Sequence, residues 1–506
     1  MRNCMAIVCR FPRVHLPAGV RADNVRGVRR ALLALALLAG CGSSNPPEAD
    51  HLAVVDASPR GVAAPTDGAI TLSFDRPLRR DSVTAQSLRV FGRWSGPAAG
   101  AVRFEEGDRT LVFEPQSPFS AGESVVVALS QSLAGSDGRT LRPEGYAFSF
   151  WTRSGPGGLR FEEVDRFSTR PLPHIGARAY GGVASDLDGD RRLDLAIVNE
   201  DSADVSVFLN DGPFRFRRGE RAGVGRRASP SEPGDFDGNG EVDLAVVNIA
   251  DATVSILIGR GDGGFEAART VAVGQTPRGI AVLDADGDGD TDVAVASAGA
   301  GVVTLLTNDG AGHFLGGPGM DAGIEGEWAL AAADMDGDGI MDLVVGGQQS
   351  QRIAVLNGRG SGRFERGGTQ DAGGGPWMLM AGDLDRDGRE DVATVNGRSN
   401  TAAILRGDGR GGLEAPHVYP IAPFGLASDL GDMDGDGDLD WLTSSYSGEW
   451  RLFANRGDGS FDLRTLFNAP RAASCALPFD ADADGDLDLA LIDEEADEVI
   501  LVRNEG

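Results

Sequence analysis

Three observations predict an all-β protein. Turn-forming glycine is abundant, at 73 of 506 residues. Apolar residues come in short runs between turn clusters, with no long amphipathic helical pattern among them. An acidic nine-residue stretch returns seven times at a nearly constant interval, as in a repeat architecture. Together they give a β-sandwich followed by a seven-bladed β-propeller.

The chain begins with a processing signal. Residues 26–41 read RGVRRALLALALLAGC, in which Arg26, Arg29 and Arg30 precede an apolar run, Ala31 to Leu38, too short to span a bilayer. Leu38-Ala39-Gly40-Cys41 resembles the lipobox of bacterial lipoproteins. The resemblance implies that residues 1–40 are a signal peptide and that Cys41 becomes the lipidated first residue of an exported chain, with the lipid as its only hold on the membrane. Gly42 after the Cys implies the outer membrane or cell surface. Residues 1–24 do not fit such a signal and place the translation start downstream, at Val20 or Val25.

Charge and cysteine content narrow the function. The formal net charge is −29, and every basic residue is Arg. A nucleic-acid partner is excluded, because phosphate binding needs a basic face. Removing residues 1–40, which hold seven Arg and one Asp, takes the charge to −35. With Cys4 and Cys9 removed and Cys41 lipidated, Cys475 stands alone, so no intramolecular disulfide is expected.

Residues 41–50 form a polar, Pro-containing tether. Alternating apolar runs follow at 69–74, 88–91, 110–113, 124–129 and 146–151, separated by turns such as Ser136-Asp137-Gly138, and predict a sandwich over 51–153. The stretches ITLSFDRPL (70–78), TLVFEP (110–115) and FSFWT (148–152) resemble the bacterial Ig-like domain of surface proteins, which implies a spacer. Trp94 and Trp151 are expected in its core.

Residues 158–506 carry the repeat. Its clearest acidic stretch reads DADGDGDTD, with Asp284, Asp286, Asp288 and Asp292 at positions 1, 3, 5 and 9. Glycines at positions 4 and 6 permit a turn tight enough to aim the four side chains inward. A hard cation with six to eight oxygen ligands fits that donor set, calcium first. The same spacing places Asp186, Asp188, Asp190 and Asp194; Asp235, Asp237, Asn239 and Asp243; Asp334, Asp336, Asp338 and Asp342; Asp383, Asp385, Asp387 and Asp391; Asp432, Asp434, Asp436 and Asp440; and Asp480, Asp482, Asp484 and Asp488. The intervals are 49, 49, 50, 49, 49 and 48 residues. Up to seven calcium ions are expected, which would bring the mature charge to −21.

Each unit has room for four strands, the content of a propeller blade, with the acidic loop joining strands one and two. The third unit shows strands at 279–283, 293–296 and 302–306, then the turn Asn308-Asp309-Gly310 and a weaker strand at Phe314. The last unit ends after its third strand. Residues 158–168 resemble the missing fourth and are expected to close the last blade.

GGVASDLDGDRRLDLAIVN (181–199) and AVLDADGDGDTDVAVAS (281–297) resemble the FG-GAP and VCBS repeats, the family of the integrin α-subunit propeller. The resemblance covers about 158–506. It implies calcium ligation by positions 1, 3, 5 and 9, with a backbone carbonyl from position 7. Arg191 at position 6, and Arg386 and Ala483 at position 4, depart from the pattern and imply weaker sites. An EF-hand fits worse, since Val246 stands where its position-12 Glu belongs. Toxin-type β-helices and dockerins fail on repeat spacing and copy number.

The face away from the acidic loops holds the ligand candidates. Six residues before each loop stand Tyr180, Ser229, Arg278, Trp328, Trp377, Leu426 and Ser474, with Phe424 as the alternative in the sixth unit. Tyr180, Arg278, Trp328, Trp377 and Phe424 form either a rim for a sugar ring or peptide, or packing between blades. Asn199, Asp201, Asn248, Asp251, Asn396 and Asn400 flank the same face and serve equally as turn formers. Three Arg-Gly-Asp triplets, at 260–262, 406–408 and 456–458, fall at the turn after strand three and read as turns.

No catalytic motif is present, and His174, His313 and His417 occupy unrelated repeat positions. The sequence therefore predicts a non-enzymatic, calcium-binding envelope lipoprotein that presents a propeller to a glycan or an extracellular or envelope protein. A propeller-type polysaccharide lyase or hydrolase is the alternative that an Arg, Tyr or His cluster in the central pocket would favour. A structural part of an envelope assembly is another.

Overall fold

The computed structural model describes residues 50–506; the expected signal peptide, Cys41 and most of the tether lie outside them. Among the described residues the only helical element is a single 3-10 turn, Arg80–Ser82, and no helix is long and apolar enough to cross a membrane.

The first nine strands form two sheets. One carries Val54–Ser58, Ile70–Phe74, Thr110–Pro115 and Gly100–Glu105 in that spatial order. The other carries Gly61–Ala64, Tyr146–Thr152, Ser124–Leu129, Leu88–Gly92 and Gly96–Pro97. Ile70, Leu72 and Phe74 alternate with half-exposed residues, so one face of the strand is buried and one is solvated. They meet Val125, Val127, Phe148 and Phe150 of the other sheet in the sandwich core.

Seven four-stranded antiparallel sheets follow. Their innermost strands are Ala179–Ser185, Ala228–Gly234, Pro277–Leu283, Glu327–Ala333, Pro376–Gly382, Gly425–Gly431 and Ala473–Phe479. Each lies against the next, and the seventh lies against the first. Small residues allow the close approach: a Cβ on Gly279 would meet Trp328 O and Leu330 N of the next strand at 2.8 Å. The second strand of every blade is buried along its whole length. Neighbouring blades cover both of its faces, which is why it reads as an unbroken apolar run such as DLAVVN rather than as an alternation.

The seventh sheet takes its outer strand from far upstream. Arg160–Ser168 pairs antiparallel with Glu498–Glu505, placing Phe161 opposite Asn504 and Phe167 opposite Val499. Phe167 stacks near Phe208 of the first blade at 4.3 Å between centroids, joining first and last blades.

The sandwich is not a detached spacer; it sits on the acidic-loop face. Gln131 N donates to Gly287 O at 2.7 Å, Ala147 N to Gly339 O at 2.8 Å, and Gly155 N to Gly485 O at 2.5 Å. Asp186 N donates to Trp94 O at 2.8 Å, and Ser154 Oγ to Asp432 O at 2.6 Å. Arg89 pairs with Asp290. Trp94 and Trp151 are buried as expected, but their place differs. Trp94 packs with Met433, Leu477 and Leu487, and Trp151 with Leu384, Leu430 and Leu439, all propeller residues. A strand pattern cannot distinguish an inward face from a face buried by another domain, and both indoles lie on the latter.

Candidate functional site

The seven acidic loops share one hydrogen-bond scheme. The position-9 carboxylate closes each loop twice. Asp292 Oδ2 accepts Ala285 N at 3.0 Å, and its Oδ1 accepts Asn308 N at 2.8 Å. The same pair of bonds is made by Asp194, Asp243, Asp342, Asp391, Asp440 and Asp488. The position-1 carboxylate accepts turn N–H groups, as Asp284 does from Gly287 at 2.9 Å and Gly289 at 3.0 Å. The three departures keep the turn: Arg191, Arg386 and Ala483 hold left-handed φ values of 70°, 61° and 65° where other loops have glycine.

Positions 1, 3 and 9 converge. In the first five loops their carboxylate oxygens lie within 4.8 Å of one another, as in Asp186, Asp188 and Asp194. Position 5 of the expected four-residue set is held by Asp190, Asn239, Asp288, Asp338 and Asp387 in the same loops. A side-chain oxygen there accepts the position-7 N–H: Asp288 from Asp290 at 2.8 Å, Asn239 from Glu241 at 2.7 Å. Position 7 supplies carboxylates that the repeat pattern did not single out, Glu241, Asp290, Asp438 and Asp486. Asp438 and Asp486 are buried, each with an Oδ1 that no donor reaches.

The donor set fits a hard cation. Buried oxygens Asp188 Oδ1, Asp235 Oδ1, Asp432 Oδ1 and Asp482 Oδ1 have no hydrogen-bond partner. Burial, with the neighbouring position-1 and position-3 carboxylates, pushes Asp194, Asp243, Asp342 and Asp391 up to about 7; burial, with those at positions 3 and 7, pushes Asp440 and Asp488 up to about 8. Carboxylates this crowded ionise together only beside a positive charge.

The opposite mouth of the ring is lined by unrepeated side chains. Arg278 lies over Trp328 at 4.4 Å, Trp328 against Trp377 at 4.5 Å, and Trp377 against Phe424 at 5.2 Å. Trp377 Nε1 donates to Tyr180 Oη at 2.9 Å, a bond from the fifth blade to the first. All five sequence candidates are thus in one chain of contacts, with Phe424 the most exposed at 39%. Beneath them a cavity of about 240 Å³ runs along the axis to Arg93, Trp94 and Trp151 of the sandwich. There Arg93 enters the ring and pairs with Glu232 at 2.6 Å. Burial raises Asp429 to about 7, with Arg93 nearby opposing the shift.

A second group at the mouth escaped the sequence reading. Buried Glu200 and Glu494 flank Arg178 at 3.4 and 3.1 Å. Burial pushes Glu494 up to about 7 against the pull of Arg178. Both acids stand fourteen residues after their loop starts, so a register comparison across repeats would have found them. Asn199, Asn248 and Asn396 are buried with side chains turned back to their own blades, Asn248 Nδ2 to Ser255 Oγ at 2.9 Å for example. In the Arg-Gly-Asp segments, Asp262, Asp408 and Asp458 accept N–H groups of their own turns.

The FG-GAP-like repeat matches residues 186–246, 235–295, 284–345, 334–394, 383–443 and 432–491, each match running from one acidic loop through the next. Those matches cover more than half of the sequence. The chain belongs to the FG-GAP-like repeat family.

The bacterial Ig-like domain matches residues 45–152 of this FG-GAP protein. A search of curated proteins finds no match. Similar solved structures include BBS1N in complex with ARL6DN, at 13% identity over 68% of this chain and 97% of that one, with a TM-score of 0.49. Virginiamycin B lyase from Staphylococcus aureus follows at 12% identity over 68% and 99%, with a TM-score of 0.46. An Agrocybe aegerita lectin that recognises non-reducing terminal N-acetylglucosamine has 16% identity over 78% and 93%, with a TM-score of 0.40.

Proposed function

We propose that this FG-GAP protein is a calcium-loaded, lipid-anchored envelope protein that presents the axial mouth opposite its acidic loops to a glycan. The observation that carries this reading is the contrast in cover. The sandwich occupies the loop face, while Trp328, Trp377 and Phe424 line the other mouth, with Phe424 39% exposed. Indole and phenyl faces beside Tyr180 and Arg278 supply both halves of sugar recognition, an apolar platform and polar donors.

Calcium would be held by positions 1, 3, 5 and 9 of each loop, with Asp438 and Asp486 as added donors in the last two. When bound, it supplies the positive charge that lets those buried carboxylates ionise. The chain's own part is to hold the loop closed through the two N–H bonds to position 9. Lipidation of Cys41 and outer-membrane or surface placement belong to the same proposal. Labelling with a radioactive fatty acid should mark the native chain and not a Cys41→Ser variant.

A glycan array probed with the mature chain, in calcium and in chelator, tests the central claim. Calcium-dependent binding should disappear in a Trp328→Ala/Trp377→Ala variant. Absence of binding to every glycan would shift the assignment to an envelope protein ligand.

The lyase or hydrolase reading gains one observation: Tyr180, Arg278, Glu200 and Glu494 share the mouth. Release of unsaturated or reducing ends from acidic polysaccharides, abolished by Tyr180→Phe, would establish it.

A further inference from the structure

We infer that the axial mouth selects a sugar bearing a single carboxylate, with Arg278 as its anion-binding group and the Trp328–Trp377 pair as the platform for the ring. The inference rests on the glycan reading above. Among the described residues, Arg278 is the one half-buried arginine whose side chain makes neither an ion pair nor a hydrogen bond; Tyr180 and Glu200 attract it only from a distance, and its Nε is buried without a partner. Its neighbours are not in that position: Arg178 is flanked by Glu200 and Glu494, and Arg227 reaches Glu200 at 3.9 Å. In a chain with 76 acidic residues against 47 basic ones, carboxylates are in excess, and the mouth still leaves this guanidinium without one in contact.

Contact with Trp328 occupies a face of the cation. The N–H donors lie in the guanidinium plane, where their fork matches a carboxylate bidentately. Tyr180 adds a second donor. Its oxygen accepts from Trp377 Nε1, which leaves its own O–H proton to give. A ring against the indoles and a carboxylate on Arg278 and Tyr180 would satisfy every group named. A neutral sugar would leave Arg278 bare. A polyanion would meet the carboxylates of Glu200 and Glu494 at the same mouth, which favours one negative group over many.

Isothermal titration of the calcium-loaded mature chain with uronic- and sialic-acid-terminated oligosaccharides, each beside its methyl ester, tests this without altering the protein. The acid form should bind at least tenfold tighter than its ester. Arg278→Met should bring the Kd of the acid to that of the ester, while Arg278→Lys keeps part of the difference. Equal affinities for acid and ester on the native chain would overturn the carboxylate subsite and leave the glycan reading standing. Binding of neither form, with no other glycan bound, would overturn both.

Discussion

The two ends of the propeller follow opposite rules. On the loop face, seven segments repeat the same residue types, and position 9 makes the same two hydrogen bonds every time. At the other mouth, the residue six places before each loop is Tyr, Ser, Arg, Trp, Trp, Leu or Ser. A repeated residue answers a need every blade shares, which is closure of its own turn. An unrepeated one answers to the ring as a whole, as the Tyr180–Trp377 bond between blades one and five shows. Repeated turn-closing chemistry is therefore concentrated on one face and cross-ring contacts on the other.

The largest test of that division is chelation. A ligand held a hundredfold above its Kd stabilises by about 2.7 kcal/mol per site, so stripping several sites should lower Tm by on the order of 10 °C or more. Because the sandwich bonds to loop carbonyls, limited proteolysis should then cut around residues 153–158, where it meets the ring. An unchanged melt in chelator would end the claim that the loops are ion-stapled.

Next in size is a contrast within one loop. Asp292→Ala strips acceptors from two buried N–H groups and should cost about 3 kcal/mol even in chelator. Asp288→Ala removes the acceptor of one part-buried N–H and should cost about 1 kcal/mol there. Chemical denaturation measures both, and equal costs would show that position 9 is not the brace of the loop.

A smaller effect separates the axis from either end. The folded pKa of Asp429, about 7, lies above its ordinary value, so the folded chain keeps a proton that the unfolded chain has released. Stability is therefore lost as pH rises from about 4 to 7. Asn cannot titrate. From pH 5 to pH 8 the native protein should lose about 1–2 kcal/mol relative to Asp429→Asn, less than the full shift because the side chain faces the open channel. Parallel pH profiles would contradict the burial of that carboxyl.

The smallest expected effect is a gain. Ala483 holds a φ of 65°, which costs an L-residue about 1 kcal/mol and glycine nothing. Ala483→Gly should raise stability by about that amount in the urea midpoint, and a loss would mean that its methyl group packs.

Much of this architecture could be read from residues alone, and the pattern of misses has a physical reason. Fixed spacing disclosed the blades and loops, and the truncated last unit pointed to residues 158–168. Spacing says nothing about contacts made once. Arg93 reaches Glu232 across 139 residues of sequence with no periodic cue, and so the docking of the sandwich was missed. Glu200 and Glu494 were passed over because each is a single acid among 76.

The strand exchange at the seam has a consequence in time. Residues 160–168 emerge early in synthesis, and their partner, 498–505, comes about 330 residues later. At roughly 5–20 residues per second, the first strand waits tens of seconds with a bare edge. Through that interval the growing chain holds an open arc of blades, and only residues 498–505 convert it into a circle. A ribosome that stalls before residue 498 would leave residues 160–168 without their partner strand, marked as defective by an edge that the closed ring covers.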